Sequence, residues 1–126
     1  MTMLRNIAGA VTAGVLFSLF LGLSHAQVAS PNARQSDKVL FSRAVTAMEK
    51  SEYIAARTLL ETLINSHPDS NYVPRAKLSI ADTWYAEGAF KRAELEYRDF
   101  ITFFPNRPEV AQAQSRIDSI HKKIRS

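Results

Sequence analysis

The stretch AVTAMEKSEYIAARTLLETLINSHP (Ala44–Pro68) is answered 37 residues later by ADTWYAEGAFKRAELEYRDFITFFP (Ala81–Pro105). Ala44 matches Ala81, Ala56 matches Ala93, Ile64 matches Ile101 and Pro68 matches Pro105, while Tyr53 falls opposite Phe90. Self-similarity at a period of this size marks stacked supersecondary units, none of which can bury its apolar face alone. In each copy two alanines stand 12 positions apart, and a proline follows 12 after the second. Small residues let two helices approach closely, and the proline, lacking an N–H, ends the second helix. These features predict an all-α fold: two helical hairpins plus a C-terminal capping helix, stacked as a right-handed solenoid.

On the N-terminal side, Ser36 or Asp37 is placed to cap a first helix by accepting bonds from its free N–H groups. That helix carries Leu40, Phe41, Ala44, Val45, Ala47 and Met48 on one stripe and stops near Ser51. A second begins near Glu52, with Tyr53, Ala56, Leu59, Leu60, Leu63 and Ile64 inward and Arg57 and Glu61 outside. Pro68-Asp69-Ser70-Asn71 supplies turn and cap residues for the next unit. The third helix, 72–87, shows Ala76, Leu78, Ile80, Ala81, Trp84 and Tyr85, and Gly88 offers the left-handed conformation that closes a helix. The fourth, 90–104, shows Phe90, Ala93, Leu95, Tyr97, Phe100, Ile101 and Phe104. A fifth follows Pro105-Asn106-Arg107-Pro108, with Val110, Ala113, Ile117, Ile120 and Ile124 at spacings of 3, 4, 3 and 4. Lys122, Lys123 and Arg125 at its end complement the helix dipole. In this third copy Ala81 is answered by Asp118 and Trp84 by His121. A carboxylate at the point of close approach predicts a solvated terminal cap.

The first 26 residues have another character. Arg5 precedes the uncharged run Ile7–Leu23, and Ser24-His25-Ala26 places small residues at −3 and −1 of a cleavage site, the layout of a secretory signal peptide. An uncleaved membrane anchor is the alternative, since the run has 17 residues. Residues 27–35 have no apolar period and are expected as a flexible linker, leaving 36–126 as the repeat domain. There is no cysteine among the 126 residues, so disulfides, thiolate metal sites and a thiol nucleophile are excluded. Without Arg5 the 16 Lys+Arg become 15 against 12 Asp+Glu, a mild and scattered excess that does not indicate nucleic acid.

In stacked hairpins the first helix of each pair lines the concave surface. Lys38, Phe41, Val45 and Met48 from the first copy and Arg75, Leu78, Asp82 and Tyr85 from the second are therefore the candidate peptide-binding row, with Glu49, Ser115 and Ser119 extending it. An extended peptide there would place side chains in apolar pockets and a carboxylate on Arg75 or Lys38. A second reading stays open, in which Phe41, Leu78 and Tyr85 only close the core. Ala44, Ala56, Ala81, Ala93, Pro68 and Pro105 are the repeat-packing positions, and Trp84 is expected to pack between hairpins. His67 and His121 have no third imidazole beside them after residue 26, and no phosphate loop or nucleophile–base pair is visible. No catalytic residue, metal, cofactor or small-molecule substrate is expected.

The five positions Ala44, Tyr53, Ala56, Leu60 and Pro68, repeated as Ala81, Phe90, Ala93, Tyr97 and Pro105, resemble the tetratricopeptide repeat, with three extra residues in the turn. More narrowly, YIAARTLLETLINSHPDSNYVPRAKLSIADTWYAEG and YRDFITFFPNRPEVAQAQ resemble the BamD family of outer-membrane assembly lipoproteins. That resemblance implies a non-enzymatic periplasmic adaptor for unfolded polypeptide, associated with the outer membrane and its β-barrel assembly machinery. The family's members carry a lipidated cysteine and more repeats, and this chain has neither feature. Two alternatives stay open: a Tol–Pal coordinator resembling CpoB, and a structural module without a ligand that forms a homodimer through its C-terminal helix.

Overall fold

The computed structural model describes residues 31–126; the signal-peptide segment, 1–26, lies outside the described residues. A short 3-10 turn, Pro31–Arg34, precedes five α-helices: α1 Asp37–Glu49, α2 Tyr53–Ser66, α3 Val73–Ala86, α4 Phe90–Phe103 and α5 Val110–Arg125. Each helix packs chiefly on its neighbours in sequence, so α1–α2 and α3–α4 are hairpins and α5 lies on α4. The fold is all-α, as the periodicity predicts.

The 37-residue repeat is written in the backbone as well as in the side chains. Ser51 and Gly88 both take left-handed torsions, with φ of 61° and 80°. Around Ser51, its own N–H bonds Met48 O and the Glu52 N–H bonds Ala47 O; the Gly88 and Ala89 N–H groups bond Tyr85 O and Trp84 O in the same way. This is the paired closure that satisfies the last free carbonyls of a helix. His67 and Phe104, each before a proline, hold φ/ψ of −133°/61° and −129°/53°, outside the helical region that a following proline disfavours. Tyr72 and Glu109 enter the next helices at −79°/−14° and −70°/−9°. Among the helices of the described residues only α1 has a side-chain cap, where Ser36 Oγ accepts the Val39 N–H at 3.3 Å.

Two apolar clusters form the core. One joins Leu40, Phe41 and Ala44 of α1, Leu59, Leu60 and Leu63 of α2, and Ala76 and Ile80 of α3. The other joins Leu78 and Ala81 of α3, Ala93, Tyr97 and Phe100 of α4, and Ala113, Ile117 and Ile120 of α5. Trp84 packs against both, the place between hairpins expected for it. Full burial of a side chain such as Phe100 contributes about 1.5–3 kcal/mol. Ala44, Ala56, Ala81 and Ala93 are all fully buried, which is where a methyl side chain permits close helix approach.

Three expectations are corrected. Arg57, expected outside, is buried. It flanks the Ala56–Leu60 stripe, and its guanidinium lies 3.7 Å from the Trp84 ring centroid while donating to Glu87 and to Thr83 Oγ1. Leu95, expected inside, is 59% exposed, because it stands roughly 160° around the helix from Tyr97. The end of the expected linker is ordered onto the helices: Asn32 Oδ1 and Gln35 Oε1 accept from Arg43, and Gln35 O lies 2.8 Å from His67 Nε2.

Candidate functional groove

A groove of about 820 Å³ opens between α1, α3 and the start of α5. Phe41, Val45, Met48 and Glu49 line one wall, Arg75, Leu78, Ser79 and Asp82 the floor, and Arg107, Glu109 and Gln112 the other wall. Of the expected binding row it brings together Phe41, Val45, Met48, Arg75, Leu78 and Asp82. Lys38 is exposed on α1 away from the lining, and Tyr85 lies against Phe90 with ring centroids 5.5 Å apart. Ser115 and Ser119 are also outside the lining.

Phe41 and Leu78 are core residues whose edges reach the groove, whereas Val45, 37% exposed, offers open apolar surface. Phe41 stacks on Tyr72, and the Arg75 guanidinium sits 5.2 Å over the Phe41 ring. Asp82 is held from below. The buried Tyr97 donates its hydroxyl to Asp82 Oδ1 at 2.5 Å, and Arg116 Nε is 4.0 Å away. Burial raises the Asp82 carboxyl above its ordinary range, against the lowering effects of the Tyr97 bond and Arg116. Burial and the Asp82 carboxylate together push the Tyr97 phenol well upward, so Tyr97 acts as a fixed donor.

Arg107, Glu109, Ser79 and Gln112 are groove residues that sequence reading did not single out. Gln112 occupies the repeat position of Lys38 and Arg75, so the 37-residue register carried a signal for it. Arg107 and Glu109 pair at 3.3 Å within the turn before α5, and no periodic pattern marks them.

A profile described as "YfiO: Outer membrane lipoprotein" matches residues 33–115. The chain belongs to the YfiO (BamD) family of outer membrane lipoproteins. The YfiO match spans every residue of the groove, from Phe41 to Gln112. No curated protein matches the chain. No helix among the described residues is long and apolar enough to cross a membrane. YfiO membership agrees with the resemblance carried by the repeat segments, and the all-α array agrees with it.

Proposed function

We propose that this protein is an exported adaptor that binds unfolded polypeptide in the groove between α1, α3 and α5 and acts in outer-membrane β-barrel assembly. The observation that carries this reading is the groove itself: exposed Val45 and half-buried Met48 between unlike charges, on an array whose YfiO match covers it. Apolar side chains of an extended segment would rest on Val45 and Met48, and charged groups would meet Arg75 or Asp82. Residues 1–26 act as the export signal and 36–126 as the binding domain, without a lipidated cysteine. N-terminal sequencing of exported protein is expected to begin at Gln27.

Fluorescence polarisation with peptides from the C-terminal strands of β-barrel proteins tests the binding. Arg75→Glu or Val45→Asp is expected to weaken affinity by about 1–3 kcal/mol, the share of an anchoring contact. Glu61→Lys, on an exposed position of α2, is expected to leave it unchanged. An affinity that follows net charge alone, weakened by Arg75→Glu and Val45→Asp and strengthened by Glu61→Lys, would point to diffuse electrostatic attraction. Absence of binding by the parent protein would favour a purely structural module.

A further inference from the structure

The charges of the groove are sorted by position. Arg75, Ser79 and Asp82 follow one face of α3 at steps of four and three residues, and all three line the groove. Arg75 and Asp82 are seven residues apart in sequence, so they stand about 10.5 Å apart along the axis at 1.5 Å per residue. Across from Asp82, the wall ends in Glu49, the last residue of α1. One end of the groove is therefore acidic and the other carries Arg75.

The other charged groups do not erase this polarity. Arg107 and Glu109 neutralise each other in their own ion pair. Neither Arg75 nor Glu49 forms an ion pair among the described residues. Arg116 approaches Asp82 only to 4.0 Å and lies 4.8 Å from the Tyr85 ring centroid. The Asp82 side chain remains a quarter exposed, with Oδ1 fixed by Tyr97. A carboxylate pinned by a buried phenol cannot swing away, so a cation entering the groove meets a fixed partner.

An extended chain in the polyproline II conformation advances about 3.1 Å per residue and returns its side chains to one face every third residue, so two residues three apart reach from Arg75 to Asp82. We infer that the groove reads charge in register: it takes an extended segment with a cationic side chain at the Glu49–Asp82 end and a carboxylate three residues away at Arg75, with apolar side chains between them over Val45 and Met48. This rests on the reading that the groove binds polypeptide, and it adds which polypeptides are preferred. The carboxylate comes from an acidic side chain or from a chain terminus.

Three blocked peptides in a Gly/Ser frame separate the possibilities by polarisation at low salt: Lys-Val-Leu-Glu, Val-Lys-Glu-Leu and Gln-Val-Leu-Gln. The first is expected to bind about tenfold more tightly than the other two, as two partly desolvated charge pairs would give. High salt should shrink that margin. A fourth peptide ending in Lys-Val-Leu-Gly, compared as free acid and as amide, tells a terminal carboxylate from a side chain. Arg75→Gln should remove the preference for the glutamate, and Asp82→Asn, which still accepts from Tyr97, the preference for the lysine. Glu49→Gln, at an exposed position, makes the same test if Asp82→Asn does not fold. Arg75→Glu should switch the preference to Lys-Val-Leu-Lys. Equal binding of all three peptides, still sensitive to Val45→Asp, would overturn the charge register while leaving the groove as a polypeptide site. Binding of none would overturn both.

Discussion

Ser51 holds φ at 61°, a region costly for a residue with a Cβ, and its counterpart Gly88 holds φ at 80° with open space where a Cβ would project. Ser51→Gly is therefore expected to stabilise the protein by about 1 kcal/mol, read as a higher urea midpoint. Arg57 is the opposite case, a charged residue whose removal should be felt. It bridges α2 to α3 through Glu87 at 2.9 Å, Thr83 at 3.1 Å and the face of Trp84. Arg57→Met keeps the apolar stem but leaves Glu87 and Thr83 without their donor. The expected cost is about 2–4 kcal/mol, against less than about 0.5 kcal/mol for Arg98→Met at an exposed helix pair. Matching denaturation midpoints for these two variants would refute a structural role for Arg57.

Between elements, one slot is filled twice with different chemistry. Arg57 on α2 meets Trp84 on α3; 37 residues on, Glu94 on α4 meets His121 on α5 at 3.0 Å. The hairpin contact is thus aromatic and buried at the first junction, polar and half-buried at the second. Such a change suits a helix that ends an array, since its exposed side must be solvated. The close approaches inside each hairpin remain the same, with Ala56 and Ala93 fully buried. Ala56→Leu or Ala93→Leu is expected to overpack and cost about 1–3 kcal/mol, measured by urea denaturation. Neutral midpoints for both would mean that the hairpins do not meet at these alanines.

At the scale of the molecule, carboxylates of opposite behaviour shape stability against pH. Asp37 of α1 accepts from Ser70, ahead of α3, and that bond, with the Lys38 N–H, lowers its pKa below 3.8. Glu94 is lowered below 4.5 by its bonds to His121 and Arg98. A depressed carboxylate contributes stability above its unfolded pKa and loses it as pH falls through the folded value. Asp82 has the reverse sign: raised by burial, its contribution is present below 3.8 and lost as pH rises through the folded value. Urea titrations across pH should show Ser70→Ala destabilising near pH 7 and less so near pH 2. Asp82→Asn should gain on the parent from acid to neutral pH. A pH-independent difference for either variant would contradict the assignment.

Helix number, hairpin pairing and the turns were legible in the chain because their causes are local. Pro68, Pro105 and Gly88 act on their own torsions, and apolar spacing at three and four defines a helix face without knowledge of its partner. The same spacing marked most of the groove's α1 and α3 residues, since equivalent positions of a repeat face the same way. Tertiary packing decided the rest. Arg57 has the local pattern of a surface residue and is buried only because Trp84 and Glu87 arrive from the next hairpin. Ser51 carries no glycine signal, yet the helix closure imposes the glycine conformation on it. Arg107 and Glu109 enter the groove because the turn before α5 is carried across the face of α3, while Lys38 and Tyr85 fall outside its lining. Contacts between hairpins depend on how two helix faces cross, and no single helix encodes that angle.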